Sequence, residues 1–139
     1  MPAYCPPVIS TLDRKMYRLF AFPDSSDLYD VEKELLDAFE RFAQSWPVQG
    51  IKLTNVKAPL MEGQDLPDWN LGLRVETDQF SRENVEELLS FVADLSRAVN
   101  LPFVVGTWQR PVGTRDLCTI DRHVPDGAAG AILEGAYAV

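Results

Sequence analysis

Two stretches of this chain space their apolar residues three and four apart, and each stretch lies between runs rich in aromatic and β-branched side chains. The first stripe is Leu28, Val31, Leu35, Phe39, Phe42 and Trp46, and the second is Val85, Leu88, Leu89, Val92, Leu95 and Val99. Apolar groups at that spacing gather on one side of a helix, and such a helix holds together in water only when that side is buried against another element. The flanking runs supply the element. Residues 16–22 (MYRLFAF) are apolar on both faces apart from Arg18 and stop at Pro23, which predicts a central strand covered on both sides. Residues 50–56 (GIKLTNV) alternate Ile51, Leu53 and Asn55 with Lys52, Thr54 and Val56, a strand with one buried face. Trp69, Leu71, Leu73 and Val75 alternate with Asn70, Gly72, Arg74 and Glu76, the clearest period-two pattern in the chain. Residues 103–109 (FVVGTWQ) and, after a connector, 117–120 (LCTI) read as further strands.

The helix ends carry their own signals. Asp27 or a neighbouring serine suits the N-cap of the first helix, with Asp27, Asp30 and Glu32 at its positive end and Trp46-Pro47 as its stop. Ser81 stands between Phe80 and Val85, a capping serine inside a hydrophobic staple, and Asn100 suits a left-handed stop. The two halves also echo one another: Leu35-Leu36 align with Leu88-Leu89, Phe39 with Val92, Phe42 with Leu95 and Trp46 with Val99. Two successive strand-helix-strand units predict an α+β fold with the ferredoxin-like β-α-β-β-α-β split arrangement, in which both helices share one face of an antiparallel sheet.

A chain of 139 residues is near the usual size of one domain and needs no disulfide or metal to bury a core. We expect a single domain over residues 1–139, with a core at about 16–109 and a C-terminal extension at 110–139. Val8 to Leu12 would pair as a hairpin with the first strand, and the Ala- and Gly-rich 127–139 tail would dock as a weak helix or strand or fray. The sheet face away from the helices would need cover from these extensions, from a second copy of the chain or from a ligand.

The formal net charge is -8, from 21 acidic against 13 basic side chains. That balance repels phosphate backbones and anionic lipid, and it steers basic partners inward. RNA binding on the sheet is further disfavoured because Asn70, Gly72, Arg74 and Glu76 occupy the wet face of the third strand. Cys5 and Cys118 form neither a CxxC pair nor a disulfide framework, which fits a reducing cytoplasm. No basic-then-apolar leader opens the chain and no run is long and apolar enough for a membrane span.

Residues capable of chemistry are sparse. His123 is the one histidine, which rules out a multi-histidine metal centre. It lies between Asp121 and Asp126 as a candidate base, with a polar surface loop as the plainer reading. Cys118 reads as a small residue within a strand, and Cys5 as exposed. Asp24, Asp27 and Asp30 lack the glycine and terminal glutamate of a calcium loop. Asp65 with Asp68, or Asp116 with Asp121, read as solvated loop charges. Residues 127–131 (GAAGA) lack a phosphate-cradle motif, so neither a metal nor a cofactor is expected. The long 57–68 loop and the Trp108–Arg110 corner are the places where binding would concentrate. Asp65, Asp68, Glu76, Trp108 and Arg110 are therefore the candidate partner-binding residues.

In size, acidity and lack of a catalytic motif the chain is similar in type to the immunity proteins of bacterial toxin systems. The leading expectation is thus a small acidic protein-binding module that blocks a basic enzyme or toxin and has no activity of its own. The alternative is a small-molecule-binding or regulatory domain, able to pair as a homodimer, with a pocket between the open sheet face and the 57–68 loop. An enzyme using His123 with Asp121 or Asp126, or using Cys118, ranks third.

Overall fold

A computed structural model describes residues 16–25, 27–58, 62–63, 69–109 and 113–138. The expected hairpin segment Val8 to Leu12 lies outside the described residues, as do Asp65, Asp68 and Arg110. In chain order the elements are β1 (Met16–Pro23), α1 (Glu32–Ser45), β2 (Ile51–Lys57), β3 (Trp69–Thr77), α2 (Arg82–Val99), β4 (Phe103–Gln109), β5 (Gly113–Ile120), α3 (Ala128–Ala136) and the short β6 (Tyr137–Ala138). The fold is α+β. The strands form one antiparallel sheet in the order β2-β3-β1-β4-β5, and β6 pairs with the start of β1.

β1 is central, as its two apolar faces require. Leu19 and Ala21 point to the helices and join Leu71, Leu73 and Val75 of β3 and Phe103 and Val105 of β4. Onto this layer α1 presses Leu35 and Phe39, and α2 presses Val85, Leu88, Leu89 and Val92, all essentially inaccessible to water. Phe39 packs edge-on against Phe91 at 5.5 Å and lies 6.3 Å from Phe103, tying both helices to β4. Burying each such side chain contributes about 1.5–3 kcal/mol.

The start of α2 follows the sequence closely. The Ser81 hydroxyl accepts from the Asn84 backbone N–H at 3.1 Å, and the Asn84 side chain accepts from Ser81 N–H at 2.9 Å, a reciprocal capping box. Phe80 and Val85 are both buried beside it, and Asn100 ends the helix at φ 59°. α1 begins later than Asp27. Leu28 is buried in a turn ahead of the helix, Val31 donates to the Leu28 carbonyl at 3.1 Å, and the N-cap position is Val31, without a side-chain cap. The apolar stripe runs through that turn, which is why spacing alone lengthens the helix.

Three further elements differ from expectation. β2 has no fully buried residue; it is an edge strand, with Leu53 exposed on the helical side and Val56 on the opposite face. β5 starts at Gly113, because it pairs with β4 as far as Gln109 across a bulge at Val105/Gly106 that leaves Leu117 unpartnered. The tail forms α3, which packs Ala128, Ala129, Ile132 and Ala136 into the main core on the same side of the sheet as the other helices. It does not cover the opposite face. Small residues permit the close approach: a Cβ on Gly135 would lie 2.4 Å from a Leu117 methyl. Ser96 holds the junction, donating to Leu101 O at 2.6 Å and accepting from Arg122 N–H at 2.9 Å, while Arg122 also binds the Asn100 side chain.

A docked α3 makes Ile132 a core residue. Ile132→Ala is expected to lower unfolding free energy by about 2–5 kcal/mol, read as a fall in the urea midpoint at constant slope. A frayed tail would leave that midpoint unchanged.

Candidate functional site

Alternate residues of the strands face away from the helices, and their register lays them out in rows. One row runs Lys52, Arg74, Phe20, Gly106, Asp116 across β2, β3, β1, β4 and β5. A neighbouring row places Arg18 opposite Glu76, whose side chains form an ion pair at 2.6 Å. Both partners are partly exposed, so the pair contributes at most about 1 kcal/mol.

Although no helix covers this face, Phe20 is only 5% exposed. Its ring fills the space above Gly106, where a Cβ would lie 2.5 Å from Phe20 Cζ. Phe22 lies over Gly72 in the same way, 2.9 Å from where a Cβ would stand, and the two phenyl rings stack at 5.0 Å. Each glycine on a strand flanking β1 thus gives an aromatic ring a bed of backbone. Arg74, the register partner of Phe20, reaches from β3 toward β4 and lays its guanidinium 4.6 Å from the Trp108 ring centroid. Arg74 Nε is buried there with no hydrogen-bond partner.

Two grooves adjoin Arg74. A groove of about 240 Å³ is lined by Gly50, Lys52, Arg74, Glu76 and Trp108. The other, about 270 Å³, has Phe20, Phe22, Pro23, Trp69 and Val104 as its apolar lining, with Arg74, Asp24 and Asp116 among its polar groups. Glu76 and Trp108, chosen from sequence as partner-binding residues, therefore line one groove. The Glu76 carboxylate is engaged by Arg18, and the cations beside it, Lys52 and Arg74, have no ion pair among the described residues. Phe20, Phe22 and Arg74 were not singled out by sequence reasoning. The available signal was Gly72 and Gly106 inside strand patterns.

The helical layer carries the opposite charge. Phe42 of α1 and Phe91 of α2 stack face to face at 4.3 Å and 10°, forming the floor of a shallow groove rimmed by Glu83, Glu86, Glu87 and Asp94. Arg82 pairs with Glu86 at 3.6 Å and Arg97 pairs with Asp94, while Glu83 and Glu87 have no ion pair among the described residues. α1 adds Glu32, Glu34, Asp37 and Glu40 against Lys33 and Arg41.

His123 is exposed in the turn before α3, and the Asp121 carboxylate beside it is taken by Arg122. Cys118 is half-buried, and burial pushes its thiol above the ordinary value. Among the described residues no cluster of three or more potential metal ligands occurs, and no helix is long and apolar enough to cross a membrane. Searches against protein-family models, curated proteins and solved structures returned no match.

Two outcomes test this geometry. Gly106→Val places side-chain carbon where Phe20 and the Arg115 carbonyl stand, and is expected to destabilise by about 2–4 kcal/mol, whereas Gly106→Val combined with Phe20→Ala recovers part of that loss in a double-mutant cycle. In a Cys5→Ser background, Cys118 is expected to react with iodoacetamide more slowly than a free cysteine at pH 8, because desolvation holds the thiol in its protonated form. Its rate should climb only above the ordinary thiol range.

Proposed function

We propose that the chain is a protein-binding module without chemistry of its own, and that it docks a basic protein through the helical layer. The observation that carries this reading is the Phe42–Phe91 stack rimmed by glutamates, two of them free of ion pairs. A lysine or arginine side chain laid across that floor would pack its aliphatic stem on the ring edges and gain Coulomb attraction from Glu83 and Glu87. The net charge of -8 would speed encounter with a basic surface. An immunity-type inhibitor that occludes a cationic toxin or nucleic-acid enzyme fits this chemistry, because such a target already presents a basic groove. The scaffold in this reading is ferredoxin-like, supported by the order β2-β3-β1-β4 with antiparallel pairing throughout; β5, β6 and α3 are additions to it.

A second reading, a small-molecule-binding domain, is favoured by a separate observation: the unpaired Arg74 between two grooves on the opposite face.

The test compares the native chain with a Glu83→Lys/Glu87→Lys double variant. Partners captured by the native chain at low salt and released by high salt are identified, purified and measured against both. The double variant is expected to associate about tenfold more slowly, with unchanged circular dichroism and a flatter salt dependence. Equal association rates for the two chains would remove the helical layer as the docking surface.

A further inference from the structure

We infer that the uncovered sheet face is a two-fold interface, on which a second copy of this chain packs face to face with its β2–β3 side over the β5 side of the first. The dimer leaves the helical layer free, so this assignment and the helical docking surface can fail separately.

The inference starts from how charge is laid out on this face. In the central row the cations stand at one end, Lys52 on β2 and Arg74 directly across from it on β3, and Asp116 stands at the other end on β5. None of the three has an ion pair among the described residues. Like charges opposite one another on paired strands are unfavourable, and an acid brought against them relieves the repulsion. Asp116 of the same copy cannot serve, because four strand spacings, roughly 19 Å, separate β2 from β5. Between the charged ends the face is apolar. Phe20 is buried, and Phe22, Val104 and Trp108 are half-buried with no helix over them among the described residues.

A two-fold axis lying along β1, between two stacked sheets, reverses the strand order and keeps each row over itself. Lys52 of one copy then faces Asp116 of the second copy, with Arg74 one strand away, and symmetry repeats the pair. Arg74 lies over Gly106, the one position of that row without a side chain, and β1 brings its phenyl rings to the axis. An axis across the strands would set cation on cation and acid on acid. The like charges that the chosen axis does bring together lie at its ends: Arg18 is neutralised by Glu76 of its own copy, and Asp24 is exposed beyond the end of β1. Five strands of about seven residues give a face of roughly 24 by 24 Å, so two copies bury on the order of 1,100 Å², past the roughly 1,000 Å² that a specific interface requires.

The experiment measures sedimentation equilibrium of the full chain, of Lys52→Glu, of Asp116→Lys and of the two substitutions combined. The native chain is expected to be a dimer at micromolar concentration and to loosen at high salt. Each single substitution opposes like charges across the axis and should weaken the dimer at least tenfold, with unchanged circular dichroism because both side chains are exposed. Asp116→Lys is the sharper case: it lowers the net negative charge, so bulk repulsion alone would make that variant associate more tightly. The combined variant should regain the native affinity. An equimolar mixture of the two single variants should form a heterodimer, since each offers the charge that the other lacks. A native chain that stays monomeric at millimolar concentration, whether this face is open, covered by another part of the chain or kept for a different molecule, would overturn the inference. So would a dimer indifferent to both single substitutions, or single variants that do not pair when mixed.

Discussion

β1 is apolar on both faces, and the helices cover only one. Everything else in the molecule accommodates that imbalance. On the helical side Leu19 and Ala21 disappear beneath α1, α2 and α3. On the other side Phe20 and Phe22 have no helix to meet, and they turn to the backbone of the adjacent strands instead. Gly106 and Gly72 make this possible, since a Cβ on Gly106 would lie 2.5 Å from the Phe20 ring, and one on Gly72 would lie 2.0 Å from the Ala21 carbonyl oxygen and 2.9 Å from the Phe22 ring. On the same face Arg74 reaches across β1 to the Trp108 ring. A glycine in a strand interior weakens that strand, so these positions lower local stability and are offset by aromatic burial.

A second consequence is the separation of charge between layers. Part of the acidic excess lies on the outward sides of α1 and α2, where Glu83 and Glu87 stand beside the Phe42–Phe91 stack. The sheet face has the reverse local balance around Arg74 and Lys52, because Glu76 is already neutralised by Arg18. A net charge of -8 therefore describes the molecule at a distance but misdescribes one of its faces.

The extent to which this was legible varies with how local the cause is. Ser81, flanked by Phe80 and Val85, announces the start of α2 because capping and stapling involve residues within a few positions of each other. The stripe of α2 and the alternation of β3 are equally local, and their elements appear where periodicity puts them. Less local features were misjudged. The start of α1 was placed too early because Leu28 is buried in a turn yet continues the helical spacing. β5 extends beyond its apolar run because its first half is polar and is held by pairing with β4 rather than by burial. α3 was ambiguous because its Ala- and Gly-rich composition is weak as an isolated helix and favourable only against Leu117 and the core.

The amino-acid pattern by itself determined the α+β class, the alternation of strand and helix through Gln109 and the sign of the overall charge, since each depends on composition or on spacing within one element. Tertiary structure alone decided that Lys52, Arg74, Phe20, Gly106 and Asp116 share a row and that the C-terminal helix joins the helical layer. It also left the Arg74 guanidinium held against Trp108 with Nε unpaired. Those facts join residues far apart in the chain, and strand register and packing set them; no local preference encodes which distant side chains become neighbours.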